Sequence, residues 1–216
     1  MVGSERLIVG LTRRAQIAHS YSAIGKLNLA FYASFPLKDW EIVDMYEKLG
    51  KLIAPGMLAL DLGSAKGKLI TALSIVGATA KGIDASQFLV NSSNAIAEQM
   101  TSEGFIGPDS CVAYTGNYFP PDFETPDDVK WDSWLDGESS LTSDPYLQMM
   151  GLNLDDFDLL TVYQYEKNRK ETLRLLGERC KVGATVVVWS SKPRDIPGNF
   201  TILRDEGQLK AFKINS

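Results

Sequence analysis

The residues that decide the fold are Leu58-Ala59-Leu60-Asp61-Leu62-Gly63-Ser64-Ala65-Lys66-Gly67. A short apolar run ends in an acid, a loop of small residues follows, and a helical pattern begins at Lys68. Small residues let the backbone of such a loop approach a ligand closely, and the helix N-terminus offers free N–H groups. This stretch therefore predicts a strand, a ligand-binding loop and a helix in succession.

A second acid, Asp84, follows 23 residues after Asp61, at the end of a predicted second strand at 78–83. In doubly wound sheets, an acid at this position accepts hydrogen bonds from two ribose hydroxyls. The dinucleotide fingerprint G-x-G-x-x-G is absent, because Ala65 and Lys68 occupy two of its key positions. Asp61 is unsuited to a pyrophosphate but suits a cation, such as the amino acid end of S-adenosylmethionine. The two acids predict a nucleoside-binding site.

Strands and helices alternate along the rest of the chain. Strands are predicted at 111–115, 157–163 and 184–189, helices at 68–76, 86–100 and 167–179, and a terminal hairpin at 200–204 and 209–214. The alternation predicts an α/β fold: a doubly wound, mostly parallel seven-stranded sheet with helices on both faces and a C-terminal antiparallel hairpin.

A length of 216 residues suits one domain with an appendage. We expect an N-terminal helical extension at 1–37 and a Rossmann-like domain at 38–216, with an insertion at about 118–156. Eleven acids and one lysine lie between Tyr118 and Asp158, so this segment has a formal charge of −10 and the remainder +5. The acidity of the protein is thus concentrated in one segment.

Composition excludes several classes of protein. The formal charge is −5, with 22 basic and 27 acidic residues, which disfavours a dedicated nucleic-acid binder without excluding one. One histidine, His19, and two cysteines, Cys111 and Cys180, exclude a disulfide framework and a zinc centre and nearly exclude a Ser-His-Asp hydrolase. No apolar run approaches the ~20 residues of a membrane span, and the N-terminus lacks a signal-peptide pattern. We therefore expect a soluble, cytoplasmic protein without a membrane partner.

Four segments resemble motifs of the class I S-adenosylmethionine-dependent methyltransferases. Residues 60–67 resemble the first motif, with Ala65 at its middle glycine, and residues 82–84 resemble the segment with the ribose-binding acid. Residues 115–117 and 159–163 fall where the family has its adenine contact and its fourth motif. The resemblance implies S-adenosyl-L-methionine as cofactor, S-adenosyl-L-homocysteine as product and direct in-line methyl transfer. The cofactor contacts it implies are Asp61, Gly63, Ser64, Ala65, Gly67, Asp84, Ala85, Asn117 and Tyr118.

A finer resemblance concerns the methyl acceptor. The order of Pro36, a helix and the segments at 61–64, 115–119, 160–165 and 181–188 resembles seven-strand protein-lysine methyltransferases of the archaeal and histone-modifying kind. A lysine amine must arrive neutral, and a poorly hydrated aromatic channel favours that state. Protein lysine is therefore the preferred acceptor; alternatives are a small-molecule or RNA methyltransferase, or a non-catalytic nucleoside-binding module. The candidates for this channel are Tyr163 and Tyr165 as catalytic residues, with Tyr32, Phe35 and Gln164 in the substrate channel, and we expect no metal.

The acidic insertion suggests a partner. It follows the third strand, next to the cofactor edge, and carries Trp131, Trp134 and Tyr146. Structureless loops of this length are unusual unless they have a function. We expect either a solvated flap or a lid that docks a basic substrate, such as a lysine-rich protein.

Overall fold

The computed structural model describes residues 48–117, 119–120, 122–124, 151–162, 166–189, 196–207 and 209–216. The expected N-terminal extension at 1–37 and the middle of the acidic insertion, 125–150, lie outside these residues. The domain boundaries therefore stay predictions, and the central sheet can be compared with the sequence directly.

Seven strands of the described residues form one sheet in the order β3-β2-β1-β4-β5-β7-β6. The first five are mutually parallel, whereas β7 pairs antiparallel with both β5 and β6. The predicted fold class is thus confirmed, including its terminal hairpin. The strands are β1 (Leu58–Leu62), β2 (Thr79–Asp84), β3 (Cys111–Thr115), β4 (Leu159–Val162), β5 (Thr185–Trp189), β6 (Phe200–Glu206) and β7 (Leu209–Ile214).

Helices cover both faces of the sheet. Helices α1 (Lys68–Ile75) and α2 (Gln87–Ser102) contribute to one hydrophobic core, and α3 (Glu166–Arg179) contributes to the other. Ser86 caps α2, its hydroxyl accepting from the Leu89 N–H at 3.4 Å. Within the described residues, none of the helices combines the length and apolar character needed to cross a bilayer.

The central strands are buried on both faces. All four residues of β4 are buried, as are the last four of β1, which suits parallel strands under two layers of helix. Strand β4 begins at Leu159 rather than at the predicted residue 157. Phe157 instead ends a short 3-10 turn, Leu154–Asp156, which the alternation of apolar residues did not reveal.

The described start of the acidic insertion packs on α3. The rings of Phe119 and Phe123 stack with centroids 5.7 Å apart, and both side chains are buried. The Arg174 guanidinium lies 4.1 Å from the centre of the Phe123 ring, and Arg179 pairs with Asp122 at 2.8 Å. The insertion therefore leaves the domain from a point fixed to this helix.

Gly67 is a position where a side chain would be costly. It caps α1 with φ +73°, and an added Cβ would lie 1.9 Å from Ser93 Oγ and 2.9 Å from Ser93 Cβ. Gly67→Ala is expected to destabilise the protein by about 2–4 kcal/mol, through left-handed strain and overpacking. Thermal denaturation of Gly67→Ala with Ser93→Gly should show part of this loss restored, because the clash disappears while the strain stays. Equal stability of Gly67→Ala and the wild type would contradict the close contact.

Candidate functional site

The two acids predicted from the sequence lie on neighbouring strands at the carboxyl edge of the sheet. Asp61 is the fourth residue of β1 and stands in register with Gly82 of β2 and Thr161 of β4. Asp84 is the last residue of β2 and stands in register with Thr115 of β3. Parallel strands end at the same edge, so the fold brings these polar groups together.

The loop between β1 and α1 is fastened to the end of β2. The N–H groups of Gly63 and Ser64 both donate to the Ile83 carbonyl at 2.9 Å, and the Gly67 N–H donates to the Ser64 carbonyl at 2.8 Å. The φ angles of Gly63, Ala65 and Gly67 are 83°, 47° and 73°. Ala65 adopts the left-handed conformation without being glycine, which costs about 1–2 kcal/mol. The loop keeps its shape despite the alanine.

Asp84 connects this loop to α2. Its Oδ2 accepts from the Ala65 N–H at 2.8 Å and its Oδ1 from the Ser86 N–H at 2.9 Å. Burial raises the pKa of this carboxyl, and the two backbone hydrogen bonds partly oppose the shift. A carboxylate can accept about four hydrogen bonds, so Asp84 retains capacity for hydroxyl donors of a ligand.

Asp61 is nearly completely buried, with 3% of its surface exposed. Its Oδ1 accepts from the Thr161 hydroxyl at 2.6 Å. Burial raises the pKa of Asp61 to about 7; the Thr161 hydrogen bond opposes the rise, and the negative charge of Asp84 adds to it. Among the described residues, no basic side chain is a cause of the pKa shift of either acid. The edge therefore favours a bound cation, which would stabilise the ionised carboxylate.

The raised pKa of Asp61 gives stability a definite pH dependence. The folded-state pKa of about 7 lies above the unfolded value of about 3.9. Stability from the neutral carboxyl is therefore fully present below pH ~4 and is lost as pH rises to ~7. Asp61→Asn keeps an acceptor for Thr161 and is expected to be more stable than the wild type at pH 8, by several degrees in Tm, but not at pH 4. A pH-independent difference between the two melting curves would contradict this assignment.

Buried hydroxyls without partners surround the loop. Ser64 Oγ, Ser93 Oγ and Thr115 Oγ1 are buried and form no hydrogen bond. Ser64 Oγ lies against Gly82, where an added Cβ would be 2.6 Å away, so this side chain faces the sheet and shapes the loop. Thr115 stands beside Asp84 in register. Its unpaired hydroxyl fits a polar ligand at this edge, since buried hydroxyls normally have partners.

The structure brings together part of the predicted site. Asp61, the loop residues, Asp84 and Ala85 lie along one edge, and the turn after β3 joins them because the Gly116 N–H donates to the Asp84 carbonyl at 2.9 Å. Asn117 Oδ1 accepts from the Phe119 N–H at 3.0 Å, so the side chain also holds this turn. Six predicted residues lie outside the described residues and stay predictions: Tyr32, Phe35, Tyr118, Tyr163, Gln164 and Tyr165.

Sequence reasoning missed Thr161, which fixes the Asp61 carboxyl. The sequence does show a polar residue in the otherwise apolar run of β4. That this residue lies beside Asp61 follows only from the pairing of β1 with β4. Asp158 pairs with Lys181 at 2.7 Å and accepts from the Leu58 N–H at 2.9 Å, at the amino end of the sheet. In the part of the chain that the structure describes, no three His, Cys, Asp or Glu side chains are grouped to hold a metal.

Comparisons with known proteins place the fold. The sequence matches no family model and no curated protein. An RNA methyltransferase from Salinibacter ruber, solved with S-adenosyl-L-homocysteine, has 15% identity and a TM-score of 0.52 over 84% of this chain and 95% of its own. A variant of MtNAS in complex with S-adenosylmethionine has 13% identity and a TM-score of 0.54 over 98% of this chain and 76% of its own.

A third structure, the ribosomal protein L11 methylase from Lactobacillus delbrueckii subsp. bulgaricus, has 12% identity and a TM-score of 0.51 over 82% of this chain and 80% of its own. The chain thus has the Rossmann-like fold of class I S-adenosylmethionine-dependent methyltransferases. Two of these three proteins are named for methylating RNA and a ribosomal protein, and none of the three is named for methylating lysine, so the finer protein-lysine resemblance has no support from these structures.

Proposed function

We propose that this protein is a methyltransferase that uses S-adenosyl-L-methionine and releases S-adenosyl-L-homocysteine. The observation that carries the proposal is the pair of carboxylates at the carboxyl edge of this fold, the buried Asp61 and the partly buried Asp84, of which Asp84 also binds the loop. An edge at which two acids lie close together favours a ligand that carries both hydroxyl donors and a positive charge.

The residues of this edge have distinct proposed roles. Asp84 accepts from the two ribose hydroxyls, and Asp61 faces the amino group of the methionine part. Gly63, Ala65 and Gly67 let the backbone approach the ligand, while Ser64 supports the loop from behind. Ala85, Asn117 and Tyr118 line the adenine, and the unpaired hydroxyl of Thr115 adds a polar group there.

The bound sulfonium supplies an activated methyl group with a good leaving group. An acceptor lone pair forms the new bond to the methyl carbon while the carbon–sulfur bond breaks, its electron pair remains on sulfur, and the acceptor loses a proton to solvent or a base. The protein mainly aligns the acceptor and excludes water. Tyr163 and Tyr165, which follow β4, are the proposed residues beside the reacting atoms, and Tyr32, Phe35 and Gln164 the proposed channel.

RNA and small molecules fit at least as well as protein lysine as acceptors. The preference for protein lysine rested on a resemblance of short segments, and the tyrosines that it relies on lie outside the described residues. The experiment is calorimetric titration with S-adenosyl-L-homocysteine, followed by labelled methyl transfer into separated RNA, protein and small-molecule fractions of a lysate. Binding with label in one fraction would identify the acceptor class, whereas no binding would overturn the cofactor assignment. Binding without any transfer would indicate a non-catalytic module.

The acidic insertion remains a proposed docking surface for a basic partner. Its support is the formal charge of −10 together with the anchoring of its start on α3 by Phe123 and Asp122. Deleting 126–145 leaves these anchors in place and is expected to reduce turnover at least several-fold and to reduce its salt dependence. Unchanged turnover on every substrate would contradict a role in docking.

We propose the cytoplasm as the compartment of the protein because Cys111 and Cys180 are both free thiols.

A further inference from the structure

Thr161 is a polar residue in the buried centre of the sheet. It is the third residue of β4, where the other three are leucine or valine, and 1% of its surface is exposed. Its hydroxyl donates to Asp61 Oδ1 at 2.6 Å, and the Leu60 carbonyl, at 3.4 Å, is a second and longer acceptor. A hydroxyl has one hydrogen to donate, and a short bond to a carboxylate is the stronger of the two. The hydroxyl is therefore committed to Asp61.

The pairing of β1 with β4 holds the two side chains beside each other. Asp61 and Thr161 are register partners in parallel strands, so their side chains leave the sheet on the same face. All of β4 and the last four residues of β1 are buried. Because Thr161 is β-branched, few rotamers are open to it, and the sheet fixes its hydroxyl against the carboxyl.

The other surroundings of Thr161 are apolar. It borders a small cavity between β4, β5, β7 and the start of α1, and the remaining side chains that line this cavity are Leu49, Leu69, Val162, Val187, Trp189 and Leu209. The five aliphatic members of this set cannot donate a hydrogen bond, so they cannot replace the hydroxyl of Thr161. A valine at position 161 would suit the apolar cavity and would leave the carboxyl without this donor.

The charge of Asp61 is opposed by its surroundings. Burial raises the pKa of Asp61 to about 7, the hydrogen bond from Thr161 lowers it, and the negative charge of Asp84 on β2 raises it. Among the described residues, no charged side chain of β4 or α1 is a further cause of this shift. Thr161 is thus the one described side chain that favours the ionised form of Asp61.

We propose that Thr161 is a positioning residue that holds the Asp61 carboxylate, ionised and in one orientation, for the amino group of the cofactor. Thr161 acts through this carboxylate and not through a ligand contact of its own. It thereby determines the lower end of the pH range in which the site binds its ligand. The inference rests on the proposed function and adds to it the control of the Asp61 charge.

Two matched substitutions separate the hydroxyl of Thr161 from its methyl group. Thr161→Val removes the hydroxyl and keeps the methyl group, whereas Thr161→Ser does the reverse. Calorimetry measures the affinity of the full chain for S-adenosyl-L-homocysteine between about pH 5 and pH 9, on either side of the Asp61 titration. Thr161→Val is expected to bind roughly five- to fiftyfold more weakly than the wild type at pH 7 but only about one- to twofold more weakly at pH 9, because a hydrogen bond to a charged group changes a pKa by about 1–2. Thr161→Ser is expected to keep the wild-type profile.

The change of this affinity ratio with pH distinguishes positioning from a structural role. A merely structural loss would weaken binding by the same factor at every pH. Ionisation of the ligand affects all variants equally, so it cancels in the ratio. In the Asp61→Asn background, Thr161→Val should have no pH-dependent effect. A ratio between Thr161→Val and the wild type that does not change with pH would overturn the proposal.

A measurement without ligand separates this proposal from the cofactor assignment. The side-chain carboxyl carbon of Asp61, identified in NMR spectra by its loss in Asp61→Asn, should titrate near pH 7 in the wild type and at higher pH in Thr161→Val. If S-adenosyl-L-homocysteine binds and this midpoint is the same in both proteins, the Thr161 proposal fails and the cofactor site stands. If the midpoint rises and neither protein binds the ligand, the proposed function is overturned, while the control of the Asp61 charge stands. Thr161→Cys has a weaker donor, should give an intermediate midpoint, and replaces Thr161→Val if that variant does not fold.

Discussion

Asp84→Ala is expected to weaken the binding of S-adenosyl-L-homocysteine by roughly five- to 150-fold. The substitution leaves two ribose hydroxyls without their acceptor, which costs about 1–3 kcal/mol. It also removes the acceptor of the Ala65 and Ser86 N–H groups, at 2.8 and 2.9 Å, which fixes the loop against the start of α2. Isothermal titration calorimetry measures the change, and Asp84→Asn should lie between the variant and the wild type.

A matched control separates ligand binding from a general effect of charge. Glu98→Ala removes the same charge from an exposed position of α2 and should leave the affinity unchanged. Thermal melting of Asp84→Ala without ligand reports how much of the effect comes from loosening the loop. Unchanged affinity in a well-folded Asp84→Ala protein would refute the ribose assignment.

The second large effect is a pH dependence of cofactor affinity. Asp61 has a pKa of about 7 because it is buried beside Asp84, and a ligand with an amino group binds its ionised form. Below pH 7 the protein must release this proton on binding, so the dissociation constant should rise by nearly tenfold per pH unit. Affinity at pH 5 is therefore expected to be about a hundredfold weaker than at pH 8, with a plateau above pH 7.

Asp61→Asn provides the control for this titration. The amide stays neutral at every pH, so the variant should bind S-adenosyl-L-homocysteine weakly with a nearly flat profile. A pH dependence of affinity that comes from the ligand or from Asp84 would persist in the variant. It can therefore be subtracted from the pH dependence of the wild type. If the dissociation constants of the variant and the wild type changed equally with pH, the role of Asp61 would be contradicted. Calorimetry in buffers of different ionisation enthalpy should detect the released proton directly in the wild type at pH 6.

Much of the sheet was predictable because each strand carries its own local signal. The runs at Cys111–Thr115 and Leu209–Ile214 agree with their predictions residue for residue, and α3 begins one residue earlier than expected. Strand β4 was predicted to begin two residues too early. Its start depends on a 3-10 turn whose capping involves Asn153 and Asp156, a local pattern that hydrophobic periodicity does not detect.

The sequence alone determined the fold class, the two acids and the small-residue loop, because strand and helix periods, turn residues and chain spacing are local properties. Only the tertiary structure decided which groups act on one another. Thr161 lies a hundred residues from Asp61 and reaches it because β1 pairs with β4. The raised pKa of Asp61 depends on burial by several elements at once. Burial and the contacts between distant strands are properties of the folded chain, so no local sequence pattern contains them.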